Sequence, residues 1–285
     1  MAESPRIWLL SRDTLDDERM ELERLGVPVE YLSWNDISIP SLATPEVLRW
    51  MMVPNAMVFQ LSFVEELERA GTRVINCSRA VQACDKVSIY FLWQRYLQEK
   101  IAMPATILTS NVDQALQFIA DRGQAIFKPI AGQGGEGIIK LDSTDGRNRS
   151  ILEKLLSDNH VLFLQEFLES THEIRTVVAG GEVIAQYARF NAESFHGLAS
   201  GGTILPVNDE RVNLDLDNTI ALQETAMTIG KITGLDLFAA DALVNADHQP
   251  VLLEWNPFFA YGQTKKIHIK IASRIAEFII AISRK

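Results

Sequence analysis

Short apolar runs alternate with helix-length amphipathic stretches through the first part of the chain: RIWLL, TLDDERMELERLG, VEYLS, AMVF, FVEELERAG and RVIN follow one another. Runs of four or five apolar residues between helical patterns give the βαβ rhythm, so this part predicts a small parallel sheet covered by helices. The pattern changes around Ser78. KVSIYFLWQRYLQEKI reads as one long helix closed by Met103-Pro104, and a boundary is placed near Ala83.

From Ala105 the pattern predicts a strand (ATILTS), a helix (NVDQALQFIADRG) opened by an Asn cap and closed by glycine, and a second strand (AIFKPI). A glycine loop, the strand GIIKLD, the helix DGRNRSILEKLLS and the strand VLFLQEF complete an α+β unit. The remainder gives the hairpin EIRTVVAGG and EVIAQYARF, a Ser/Gly segment, a helix through LDNTIALQETAMTIGKITG, the strand pair LFAADALVNAD and PVLLEWN, and a terminal helix. The predicted turn between that last strand pair is Asp247-His248 with Gln249-Pro250. The expected fold is α/β with α+β lobes, divided as 1–83, 84–168 and 169–285.

Composition narrows the function classes. The chain has 285 residues, 47% of them hydrophobic, with scattered charge, which is enough to bury a substantial core. A net charge of -10 argues against bulk affinity for nucleic acid or an anionic membrane. No apolar stretch approaches the ~18–20 residues a membrane span needs, and the N-terminal segment lacks the pattern of a secretory signal. A cytoplasmic protein is expected, with Cys77 and Cys84 as ordinary reduced thiols.

Three features carry chemistry. Lys128 ends one predicted strand and precedes a loop containing Gly132, Gly134, Gly135 and Gly137. Glycines let backbone N–H groups close over phosphate oxygens. The loop is neither Walker A nor a dinucleotide fingerprint, because a strand follows it. Alone, it is equally compatible with a mobile hairpin loop. The second feature is Asp241 with Glu254 and Asn256, on two apolar strands joined by a tight turn. Alternation puts Glu254 and Asn256 on one face and a hairpin partner can bring Asp241 beside them, giving three hard oxygen ligands suited to Mg2+. A buried structural ion pair is the other reading of the carboxylates. The third feature is Gln165-Glu166-Phe167 at the end of an apolar strand, where the backbone can meet an adenine edge.

These residues, with Asp85-Lys86 opening the long helix, Glu173-Ile174-Arg175, Arg189, Gly201-Gly202, Gly234-Leu235-Asp236 and the Leu9–Asp13 run, resemble the ATP-grasp superfamily. Within it the chain is similar to the branch typified by the ribosomal protein S6 glutamate ligase. The resemblance implies a small N-terminal lobe and two lobes clasping ATP. It implies Lys86 and Lys128 on the phosphates, Gly134 and Gly135 over them, Gln165, Glu166 and Phe167 at adenine, and Glu173 near the ribose. Asp241, Glu254 and Asn256 match the magnesium ligands, for two ions that Mn2+ can replace. Arg175 or Arg189 is the candidate to stabilise the oxyanion as an acyl phosphate is attacked by an amine.

The implied partners are a small-molecule or peptide carboxylate acceptor and an amino acid, with no nucleic acid or membrane; a homo-oligomer is left open. A phosphotransferase or a nucleotide-sensing binding protein on the same fold is the alternative. The chain departs from the branch at Phe195-His196-Gly197 and Leu198-Ala199-Ser200, where two arginines are lost, and at Pro257-Phe258-Phe259. Trp255, Phe258, Phe259 and Tyr261 therefore form either an aromatic wall for a flat acceptor or part of the core, with Lys265 and Lys266 as nearby cations.

Overall fold

The computed structural model describes residues 6–11, 14–37, 44–53, 56–130, 137–170, 172–190, 203–212 and 214–284. Within them the strands form three sheets. The first orders β2 (Val29–Ser33), β1 (Ile7–Ser11), β3 (Val47–Trp50) and β4 (Arg73–Ile75), all parallel as the βαβ rhythm requires. Helices α1 (Asp16–Arg24) and α2 (Met57–Arg69) belong to this unit.

One expected strand is corrected here. AMVF is the first turn of α2, and the strand is VLRW, whose four residues are all buried. Arg49 hides the strand from an apolar pattern, yet it is buried because it pairs with Glu18 of α1, at 3.2 Å.

After the short helix α3 (Ser78–Gln82), α4 runs from Lys86 to Tyr96 and ends before the residues expected to extend it to Ile101. Next comes an antiparallel sheet in the order β5 (Thr106–Thr109), β8 (Leu162–Glu166), β6 (Gln124–Phe127), β7 (Ile139–Asp142). Helices α5 (Val112–Arg122) and α6 (Asn148–Asn159) cover it, closing a core that includes Ala115, Ile119, Leu152, Phe127 and Leu164. The Asn111 cap holds as read, accepting from the amides of Asp113 and Gln114.

The third sheet is antiparallel and ordered β11 (Thr203–Pro206), β10 (Glu182–Phe190), β9 (His172–Ala179), β12 (Leu237–Val244), β13 (Pro250–Asn256). Helix α7 (Leu216–Thr233) packs on this sheet together with Ile89 and Leu97, so α4 and its C-terminal end share the core of the last sheet rather than that of the central one. Helix α8 (Ile271–Ser283) and residues Ile7, Leu9 and Val47 form a second core with the same sheet. The first sheet is thereby fastened to the third. Asn76 adds to this, because its side chain bonds the carbonyl of Leu237 and the amides of Asp236 and Leu237.

Candidate active site

Strand register assembles a single row of polar side chains across four strands. Tyr187 of β10 faces Arg175 of β9, Arg175 faces Asp241 of β12, and Asp241 faces Glu254 of β13. Asn256 faces Ala239 two pairs further along, beyond Trp255 and Ala240. The register then slips between Asp241 and Ala242, leaving Leu253 as an extra residue on β13. Such a bulge re-aims the side chains beside it. The hairpin thus sets Asp241 and Glu254 side by side, with Asn256 two residues on.

The charges in this row hold one another. Arg175 donates Nε to Oδ1 of Asp241 at 2.7 Å and Nη2 to Oδ2 at 2.6 Å, and its Nη1 donates to the carbonyl of Ala260 at 3.1 Å. Arg189 donates to Glu173 and lies 3.3 Å from Asp241. Its Nε is buried without a hydrogen-bond partner among the described residues. Burial pushes Asp241 toward the neutral form, but Arg175 and Arg189 together outweigh it and hold the carboxyl below its ordinary range. Glu173 has no such bidentate partner. Burial and the nearby Asp241 push it up to about 7 despite Arg189.

Opposite this row lie the two lysines. Asp85 caps α4, accepting from the amides of Val87 and Ser88 at 2.9 and 3.0 Å, which makes Lys86 the first helical residue. Lys128 follows β6, and its Nζ donates to Gln165 Oε1 at 2.6 Å. Lys86, Ile89, Lys128, Phe163, Gln165 and Glu254 line one cavity between the central and last sheets, with a volume of about 10 Å3. That is room for about one water, so a larger ligand enters only as these side chains part. Burial lowers the pKa of both lysines, against the pull of Glu254, and the charge of Lys86 lowers Lys128 further. Two desolvated cations in one cleft are poised to gain from an anion between them.

Other expected residues are distributed more widely. Gln165 is buried and also donates to Thr106 Oγ1 at 3.1 Å, so its side chain is committed to the strand end. Glu166 ends β8, and Lys140 lies 3.5 Å above the ring of Phe167. Gly134, Gly135, His196, Gly201 and Gly202, with Asp13 of the Leu9–Asp13 run, lie outside the described residues. The ends of the glycine loop are described, and they touch. Gly137 has φ +73°, and a Cβ there would lie 2.8 Å from Cγ of Pro129.

The aromatic wall is overturned. Trp255, Phe258 and Phe259 are 1%, 9% and 3% exposed, and Phe258 packs edge-on to Trp50 with ring centres 4.8 Å apart. Trp255 lies in the core shared by the last sheet, α4 and α7, and Phe258 and Phe259 are core residues joining the first sheet to the last. Pattern reading missed a buried network at this junction: Tyr261 Oη donates to Glu18 at 3.1 Å, and Glu18 holds Arg49. An acidic residue inside a helix otherwise rich in exposed charge gave no signal of it.

The donors suit the groups that the resemblance implies. Asp241, Glu254 and Asn256 offer hard oxygens on adjacent strands, as a small dication requires. Among the described residues no three His, Cys, Asp or Glu side chains converge, so Asn256 is needed to complete the set. The paired lysines suit phosphate oxygens, and the unsatisfied Nε of Arg189 suits an anionic oxygen beside the Asp241 row.

Comparison with known proteins agrees with this geometry. The family model described as "Prokaryotic glutathione synthetase, ATP-grasp domain" matches residues 91–237, just over half of the chain. A tetrahydromethanopterin:alpha-L-glutamate ligase from Methanosarcina acetivorans is 30% identical over 194 residues, 63% of this chain and 57% of the relative's own length. Among solved structures, the ATP-grasp ligase PsnB complexed with its minimal precursor superposes with a TM-score of 0.76 at 18% identity, covering 99% of this chain and 100% of that one. A RimK domain ATP-grasp protein from Sphaerobacter thermophilus gives 0.69 at 17% identity, covering 96% and 99%. At these identities the structural matches establish the fold. With the model match spanning α7 and the central sheet, the chain belongs to the family of prokaryotic glutathione synthetase ATP-grasp domains.

Proposed function

We propose that the chain is an ATP- and Mg2+-dependent ligase that joins a carboxylate to an amine through an acyl phosphate. The observation that supports this reading is the meeting of Lys86, Lys128 and Glu254 in one cleft between two sheets, beside the Asp241 row. Lys86 and Lys128 hold the nucleotide phosphates, with Gly134 and Gly135 closing over them, and the Gln165–Phe167 segment holds adenine. Asp241, Glu254 and Asn256 hold magnesium, as two ions that Mn2+ can replace. When bound, the metal neutralises charge spread over the phosphoryl oxygens.

The two arginines divide the work. Arg175 is a positioning residue, because each of its three nitrogens already donates, to Asp241 or to Ala260. Arg189 keeps a buried donor in reserve and stabilises the oxyanion formed when the amine attacks. Glu173, expected at the ribose, also orients Arg189. The lobes are taken as 1–83, 84–168 and 169–285, with α4 packing across the second boundary.

The acceptor is a small-molecule or peptide carboxylate, and the amino acid added is glutamate, as the printed name of the Methanosarcina relative suggests. A cytoplasmic setting, where ATP is available, is part of the same reading. No helix among the described residues is long and apolar enough to cross a membrane. The test is to follow ADP, phosphate and free amine together across a panel of acceptors with glutamate. Phosphate released in proportion to amine consumed supports the ligase. A phosphorylated product with no amine consumed marks a phosphotransferase, and nucleotide binding without ADP release from any acceptor marks a sensor.

A further inference from the structure

A second cavity, of about 520 Å3, opens between α1 and the segment that leads from Tyr261 into α8. Its volume falls within the about 300–1,000 Å3 range of small-molecule sites. Arg24 reaches it from α1, and Lys265 and Lys270 reach it from the opposite wall, against the single lining carboxylate of Glu21. Arg24 is held by Glu21 and Lys265 by Asp17 of α1, whereas Lys270 stands exposed as the residue before α8. In a chain of net charge -10, a large cavity with three cations on two walls is a local inversion of sign.

The cavity is also connected to the candidate active site. Tyr261 lines it, and the preceding residue, Ala260, accepts from the same Arg175 that grips Asp241. The wall of the cavity and the Asp241 row are therefore joined by one residue step.

We propose that this cavity seats the acidic end of the acceptor, a chain bearing several carboxylates, while its reacting carboxylate reaches the Asp241 row. The proposal rests on the ligase reading. Cations spread over both walls suit carboxylates spaced along a chain better than one compact anion, which a single charge pair would satisfy. Apolar Ile269 and Ile271 between them accommodate methylene groups.

Triglutamate, triglutamine and inorganic phosphate are titrated calorimetrically into wild type and into the double variant Arg24→Ala/Lys270→Ala, and ADP with Mg2+ into both. Arg24 and Lys270 are exposed, so the variant keeps its fold; a matching melting temperature checks this. Triglutamate is expected to bind wild type and to weaken about tenfold or more in the variant, a loss of about 1.4 kcal/mol. Triglutamine should not bind, and ADP affinity should be alike in the two proteins. Triglutamate that fails to bind wild type, or binds both proteins equally, overturns the proposal, as does phosphate competing equally with triglutamate. Failure of ADP to bind wild type is a separate outcome, which sinks the ligase reading on its own.

Discussion

Arg175 grips both carboxylate oxygens of Asp241, at 2.7 and 2.6 Å, from the strand directly beside it. Both partners are buried, at 6% and 1% exposure, so each would be costly without the other. Arg175→Met should therefore cost about 3–5 kcal/mol of stability, because it removes the bidentate partner of a buried carboxylate and leaves it only the longer contact with Arg189. Chemical denaturation measures this. An unchanged midpoint would show that the pair contributes nothing to the fold. Asp241→Asn is expected to lose turnover and some stability together, since it breaks the same fork.

Glu254→Gln separates the two effects. Glu254 is only half-buried and, unlike Asp241, is in no bidentate ion pair among the described residues, so its stability cost should be smaller than that of Arg175→Met even though two lysines lose a facing charge. ADP release should nevertheless fall below detection, because the neutral amide removes the charge that faces Lys86 and Lys128. Normal turnover in this variant removes Glu254 from the metal set.

The lysines make a pH prediction with two opposite arms. In the folded protein their pKa values lie below the ordinary 10.5, because burial disfavours the charged form. Between the folded and unfolded values the unfolded chain binds more protons, so their contribution to stability rises with pH in that alkaline window. Affinity for ADP falls across the same window as the cations are lost. Lys128→Arg should move the affinity limb to higher pH, since guanidinium stays charged. Titrating ADP at several alkaline pH values decides it; limbs that coincide in the two proteins would contradict the assignment.

Gly137→Ala should weaken nucleotide binding without touching a charged group. The positive φ alone costs about 1–2 kcal/mol for an L side chain, and the new Cβ would meet Pro129 at 2.8 Å. Because Pro129 is next to Lys128, the displacement falls on the phosphate cleft. Calorimetric ADP affinity in the variant, compared with wild type, reads the effect.

Phe259→Ala is expected to cost about 3–5 kcal/mol, as a core truncation does. Tyr261→Phe should cost only about 1–2 kcal/mol, the price of leaving Glu18 one donor short. Thermal melts of the two variants give the order; a mild Phe259→Ala would return that ring to the acceptor side.

Local chemistry was enough for much of this protein. Strand and helix periods, the Asn111 and Asp85 caps and the alternation in PVLLEWN are set by neighbours a few residues apart, so they are legible in sequence. The tight hairpin sets Ala242 opposite Leu252, but Asp241 meets Glu254 only because the bulge at Leu253 shifts the register by one residue, which the hairpin rule alone does not supply. What the tertiary structure decided depends on partners distant in the chain. Arg49 is a strand residue only because Glu18 neutralises it, Arg175 is a clamp on Asp241 because β9 lies beside β12, and Phe258 and Phe259 are core because the first sheet closes over them. A charge or a ring reads the same in sequence whether it faces water, a substrate or a buried counterpart. Its surroundings are fixed by segments whose approach no local pattern encodes, and those surroundings set its energy.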